Sequence, residues 1–80
     1  MRLDKWLKLS RLIKRRTVAN EACDAGKVTV GGRAVKASYD VKPGDVLSLT
    51  FGERTTTVKV LSVQEIVGKA DAAGMYEEVR

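Results

Sequence analysis

Lys27-Val28-Thr29-Val30-Gly31-Gly32-Arg33-Ala34-Val35-Lys36 is the stretch that decides the fold. Apolar and polar positions alternate on both sides of a Gly-Gly pair, the spacing of two strands joined by a tight two-residue turn. The pair is too short, and too enclosed by strand pattern, to act as a phosphate-cradling loop. Its glycines serve the turn.

Upstream of this hairpin the period lengthens to that of a helix. Gly26 ends a helix that starts after Thr17, with Val18, Ala19, Ala22, Cys23 and Ala25 on one face and Asn20, Glu21 and Asp24 on the other. Ala19, Ala22 and Ala25 are small enough to let a neighbouring helix or sheet approach closely. Further back, Leu3, Trp6 and Leu7, with Ser10 completing the stripe, predict a short amphipathic helix that bends or stops near residues 9 to 13. Trp6 belongs to the apolar stripe, so it reads as core and not as a platform for a stacked base.

Between the two helices stands Lys14-Arg15-Arg16-Thr17. The Thr17 hydroxyl can cap the first turn of the second helix, whose free amides also carry the positive end of the helix dipole. A triple-basic step at such an entrance is a place for an anion.

Downstream, Lys42-Pro43-Gly44-Asp45 suits a type II turn. Val46 to Phe51 then alternates, setting Leu47, Leu49 and Phe51 on one face. Gly52-Glu53-Arg54 turns the chain again. Thr55 to Val63 is rich in β-branched residues, and the run Val58, Val60, Leu61, Val63 implies a bulge or a change of exposed side. The glycines of the tail, Gly68 and Gly74, argue against a long helix there, and Glu77 and Glu78 would repel a nucleic-acid backbone. The expected architecture is α+β: two N-terminal helices packed on a small, mainly antiparallel, strongly twisted sheet. Residues 1–63 form the domain, and 64–80 a short extension or short helix.

Eighty residues allow one small domain that buries roughly 60% of its unfolded surface, which leaves little room for a deep substrate pocket. There is no histidine to act as a near-neutral base, and no serine stands in a nucleophile motif. Asp40 and Asp45 flank a Pro-Gly turn and read as turn chemistry. The single Cys23 has no disulfide partner and reads as a small buried apolar residue in a reducing compartment. Neither catalysis, nor a metal, nor another cofactor is expected. The N-terminal segment is too charged for a signal peptide or a membrane span, so a cytoplasmic protein is expected.

Net charge is +5, but residues 1 to 16 alone hold Arg2, Lys5, Lys8, Arg11, Lys14, Arg15 and Arg16 against Asp4, which leaves −1 for the rest of the chain. Such asymmetry makes a one-sided footprint for a dense array of anions, as in nucleic acid. Arginine binds phosphate through paired hydrogen bonds and lysine acts as a flexible point charge, so the mixed cluster suits an irregular backbone. Lys5, Lys8 and Arg11 read equally well as the solvated face of the first helix. Lys27 and Lys36, at the outer ends of the hairpin, either extend the basic surface or protect a sheet edge. The aromatics Trp6, Tyr39, Phe51 and Tyr76 are scattered, which favours recognition of structured RNA by shape over base stacking.

Arg2-Leu3-Asp4-Lys5-Trp6-Leu7, Lys14-Arg15-Arg16-Thr17, Gly26-Lys27-Val28-Thr29-Val30 with Gly32, and Val41-Lys42-Pro43-Gly44-Asp45 together resemble the S-four-type RNA-binding domain over about residues 1 to 51. Within that superfamily the chain looks most like the bacterial ribosome-associated quality-control group, the RqcP proteins, kin of the small heat-shock ribosome-binding proteins. Ala72-Ala73-Gly74-Met75-Tyr76 resembles the tail of that group. Membership implies a protein that binds stalled large ribosomal subunits carrying peptidyl-tRNA, contacts rRNA and tRNA, and supports template-free alanine tailing beside the tRNA-recruiting factor RqcH; a monomer is expected. It implies Arg2 and Arg16 as the leading RNA contacts, followed by Lys5, Arg15, Thr17, Lys27 and Lys36. Gly31-Gly32 departs from the Asn-Gly common in the group, which removes one polar side chain and keeps the turn. The alternatives are heat-shock-type rescue of large subunits, a general basic adaptor for an anionic membrane or protein, and an accessory module of an RNA-modifying enzyme.

Overall fold

The computed structural model describes residues 1–64 and 72–79. Two helices, α1 (Leu3–Leu9) and α2 (Arg16–Asp24), precede strands β1 (Val28–Val30), β2 (Arg33–Ala34), β3 (Val46–Phe51) and β4 (Arg54–Val60). A 3-10 turn at Ala72–Met75 leads into β5 (Tyr76–Glu78). All five strands join one antiparallel sheet in the order β2-β1-β3-β4-β5. This is the expected α+β arrangement.

The hairpin forms around Gly31 and Gly32, whose φ angles of 58° and 84° are those of a primed two-residue turn, with Val30 opposite Arg33. It is shorter than its sequence pattern, since Val35 and Lys36 lie beyond β2. At Pro43-Gly44 the type II turn is present: Gly44 has φ 97° and the Asp45 amide donates to the Lys42 carbonyl at 3.1 Å.

Period-two alternation puts Val28, Leu47, Leu49, Val58 and Val60 on the covered face of the sheet. The opposite face carries Thr29, Ser48, Thr50, Thr55 and Thr57, with hydroxyl pairs Ser48–Thr57 (3.2 Å) and Thr50–Thr55 (3.3 Å) bonded across β3 and β4. Phe51, which alternation sets on the same face as Leu47 and Leu49, sits at the strand end and is exposed. Leu3, Trp6, Leu7, Ala19, Ala22 and Cys23 of the helices close the core over the sheet.

A helix of seven residues is too short to persist alone, so α1 depends on what it packs against. Trp6 is fully buried; its indole Nε1–H donates to the Ser62 carbonyl at 2.7 Å, and Tyr76 meets it edge-on with ring centroids 6.4 Å apart. Ser10, the last of the predicted stripe, is buried and donates to the Leu7 carbonyl at 3.1 Å. The helix then stops because Arg11 takes the left-handed conformation, φ 64°. For a non-glycine residue that conformation costs about 1–2 kcal/mol.

At its other end α1 has no side-chain cap. The amides of Leu3 and Asp4 donate to the Tyr39 and Ala37 carbonyls, at 2.8 and 3.2 Å, and Arg2 bridges to Asp40. Tertiary contacts therefore do the work of a cap and fix Arg2.

Two sequence expectations need correction. Thr17 is not the cap of α2: the helix already includes Arg16, and Arg15 occupies the cap position without a side-chain cap hydrogen bond. The helix is set by Ala19, Ala22 and Cys23 packing inward, while Val18 and Ala25 are exposed. At the far end Gly26, φ 76°, and Lys27 send their amides back to the Cys23 and Ala22 carbonyls, at 3.0 and 2.9 Å, closing α2 as its glycine predicts.

The second correction concerns the chain after Thr55. Strand β4 ends at Val60, not Val63, and the amides of Leu61 and Ser62 both donate to the Met75 carbonyl, two residues facing one as in a bulge. The described part of the tail then supplies β5, with Val60 opposite Tyr76 and Lys59 opposite Glu77, and Met75 is buried in the core. Gly68, on which part of the tail reading rested, lies outside the described residues.

Candidate nucleic-acid interface

Asp4 is the centre of the basic face. It is 2% exposed, yet its carboxylate is fully engaged. Arg2 Nε donates to Oδ1 at 3.2 Å and its terminal nitrogen to Oδ2 at 3.4 Å. The Lys5 amide donates to Oδ1 at 2.8 Å, and Asn20 Nδ2 to Oδ2 at 3.3 Å. Arg16 Nε completes the set at 3.4 Å from Oδ2. Residues separated by a helix and a loop thus meet on one buried anion.

Burial pushes the Asp4 carboxyl upward, but the hydrogen bonds from Arg2, Asn20 and the Lys5 amide, with the Arg16 charge, outweigh it and hold the carboxyl below its ordinary value. The group is therefore ionised at neutral pH. Two guanidinium cations against one carboxylate leave a net positive site. Arg16 reaches Asp4 through Nε, so its terminal nitrogens are available to a ligand; the two side chains are 51% and 47% exposed. An open depression of about 350 Å³ lies beside them, lined by Asp4, Arg16, Thr17, Asn20 and Glu21.

Arg15 and Thr17 are exposed at the start of α2, flanking Arg16. Lys5 is half-buried on α1. Lys8, Arg11 and Lys14 gather instead at the other end of α1, around a separate concavity of about 490 Å³. Lys27 and Lys36 are not brought to Asp4. Both are exposed beyond the C-terminal end of α2, where Lys36 lines a third concavity with Cys23, Asp24, Gly26, Ala34 and Val35. Burial, with the charges of Asp4 and Asp24, pushes the Cys23 thiol up to about 11, which leaves it protonated and unreactive at neutral pH.

Sequence reasoning missed Asp4 and Asn20. Asp4 entered only as one negative charge among seven positive ones, and Asn20 was placed on the outer face of α2. The available signal was an acid two residues after Arg2, in the first turn of a helix otherwise crowded with cations.

Residues 1–47 match the model of the S4 domain. The RQC P-site tRNA stabilizing factor of Bacillus subtilis is 53% identical over 76 residues, spanning 95% of this chain and 88% of that protein. The chain belongs to the S4 domain family, among the RQC P-site tRNA stabilizing factors. Heat shock protein 15 of Escherichia coli is 40% identical over 80 residues, and the match covers only 59% of its length. The trimeric structure of Vibrio cholerae Heat Shock Protein 15 superposes with a TM-score of 0.90 at 31% identity, over 99% of this chain and 81% of that one. That structure is trimeric, against the single copy expected from this sequence. Among the described residues, no helix of this family member is long and apolar enough to cross a membrane.

Proposed function

We propose that this protein is a non-catalytic, cytoplasmic RNA-binding factor of ribosome-associated quality control. It binds stalled large ribosomal subunits, contacts rRNA and peptidyl-tRNA together, and holds the tRNA while a tRNA-recruiting partner of the RqcH kind extends the nascent chain with alanine. The observation that carries this reading is the convergence of Arg2 and Arg16 on Asp4. Two guanidinium groups braced by one buried carboxylate form a rigid cationic fork, suited to phosphates held in a fixed arrangement. The name of the B. subtilis relative, a factor that stabilizes P-site tRNA, supports the same direction.

In this reading Arg2 and Arg16 make the principal contacts. Arg15 and Thr17 add to them from the entrance of α2, and Lys5, Lys8, Arg11 and Lys14 from α1 and the turn. Lys27 and Lys36, beyond the far end of α2, act on a different stretch of RNA. RNA contact belongs to residues 1–63; of the tail, Tyr76 meets Trp6 of α1 edge-on and Met75 joins the core.

The test is the double variant Arg2→Ala, Arg16→Ala. Co-sedimentation with large subunits carrying peptidyl-tRNA is expected to disappear while the circular dichroism spectrum is unchanged; retained co-sedimentation refutes the proposal. The E. coli relative favours a second reading, rescue of large subunits without tailing. Alanine tails that persist on stalled chains after deletion of the gene would decide for rescue.

A further inference from the structure

Met1, Arg2 and Leu3 run as a short extended segment into α1, with Arg2 at φ −62° and ψ 140°. They pair antiparallel with the loop 39–41. The Leu3 amide donates to the Tyr39 carbonyl at 2.8 Å and the Val41 amide to the Met1 carbonyl at 2.9 Å, one bond on each side of Arg2. Period-two alternation turns Met1 and Leu3 inward and leaves the Arg2 side chain outside. The Met1 side chain is 2% exposed and packs against the core.

At the open end of this segment the α-ammonium of Met1 donates to Asp40 Oδ1 at 2.7 Å. That hydrogen bond and the ammonium charge, with Lys42 behind them, hold the Asp40 carboxyl below its ordinary value. The receiving loop is itself fixed. Ala37 and Val41 are buried, and Asp45 Oδ2 accepts from Tyr39 Oη at 3.1 Å and from the Lys42 amide at 3.0 Å. A chain end frays unless it is tied down. Here the tie is the terminal charge, and the next residue is one arm of the fork at Asp4. Asp40 is 69% exposed, so the pair adds little to global stability and its consequence is local.

We propose that the α-amino group of Met1 is a positioning group for Arg2, and that an N-formyl group on it weakens the fork. The inference rests on the RNA-binding reading above and deepens it by naming a control on the same site. Formylation turns the ammonium into a neutral planar amide with one N–H to donate, and sets the formyl carbon and oxygen where the ammonium meets Asp40. The buried Met1 side chain keeps the segment from sliding aside. With its end displaced, Arg2 is held from the Leu3 side alone and regains rotamer freedom that RNA binding must remove again. A chain begun on formyl-methionine reaches the described state by hydrolysis. Water adds to the formyl carbon, the C–N bond breaks, formate leaves, and the freed amine takes up the released proton.

The experiment uses the full chain made by peptide synthesis with a free, a formylated or a Gly-Ser-extended N-terminus, together with Asp40→Ala and Asp40→Glu. Each terminus is verified by intact mass. Large subunits carrying peptidyl-tRNA are titrated by sedimentation, and thermal melts are recorded. The formylated chain, the extended chain and Asp40→Ala are expected to bind about threefold to tenfold more weakly than the free chain. They should melt at most about 8 °C lower. Asp40→Glu keeps the pair and restores most of the binding. In an Arg2→Ala background formylation should change affinity by less than about twofold, because the group has no arginine left to position. An equal loss in both backgrounds would make the terminus a prop of the whole domain and overturn the proposal. Equal affinity of free and formylated chains, with loss in the Arg2→Ala, Arg16→Ala double variant, would overturn it too and leave the proposed function standing. Unchanged binding in every variant, the double variant included, would remove both.

Discussion

At the N-terminal end of α1, Arg2 and Arg16 share one buried carboxylate; at its C-terminal end, Lys8, Arg11 and Lys14 share none among the described residues. The contrast separates two tasks that net charge alone merges. Braced guanidinium groups have already given up their rotamer freedom, so a phosphate entering the fork orders little more. Each unbraced side chain loses about 0.5–1.5 kcal/mol of conformational freedom when it is held. In the proposed function the fork accordingly sets geometry, while the turn supplies attraction that acts over roughly 8–10 Å in physiological salt and fades as salt rises.

The sharpest way to break this comparison is to remove the brace and keep both arginines. Asp4→Asn is expected to lower folding stability by about 2 kcal/mol, measured by urea denaturation, because several hydrogen bonds lose their charged acceptor. It also adds a positive charge to the face. Binding to large subunits at about 200 mM salt should fall about tenfold while the salt slope steepens, converting the fork into a second diffuse patch. A variant that binds more tightly at every salt concentration would show that the brace contributes nothing.

A reciprocal swap sharpens the point. Arg16→Lys keeps the charge and loses the fork, and is expected to weaken large-subunit binding about tenfold in a sedimentation titration. Lys14→Arg at the other end should change affinity by no more than about twofold, since a point charge is all that site uses. Equal effects from both swaps would erase the distinction between the two ends.

The smallest effect is a dependence on acidity. The Asp4 carboxyl is held below its ordinary value in the folded protein, so its contribution to stability is complete above the unfolded carboxylate range, about 3.9, and is lost as pH falls through the lower folded value. The stability gap between wild type and Asp4→Asn should therefore be constant from neutral pH down to that range and close below it. A gap that closes near neutrality would contradict the hydrogen bonding described for Asp4.

How far the sequence carried the reading depended on whether a feature is local. Gly31-Gly32 and Pro43-Gly44 specify their turns through backbone conformations that few other residues adopt, and both turns were legible. Gly26 announced the end of α2 for the same reason. Its beginning misled because Thr17 has the right chemistry for a cap, whereas the packing of Ala19, Ala22 and Cys23 starts the helix earlier. Strand β5 was invisible: Tyr76-Glu77-Glu78 has one apolar residue beside two acids, and its pairing comes from β4 and from the contact of Tyr76 with Trp6. The basic half of the site was legible as charge. Its organising member was not, because a buried acid that gathers cations has the same sequence signature as an isolated surface aspartate.

Trp6 closes the matter of order in time. Its hydrogen bond to Ser62 spans 56 positions, and its ring partner Tyr76 lies further along still. During synthesis the cationic first helix leaves the ribosome well before the surface it must rest on. Until then Arg2 and Arg16 have no fixed relation, and the nascent chain is polycationic without a fork. The proposed binding surface thus matures only after β5 has been made.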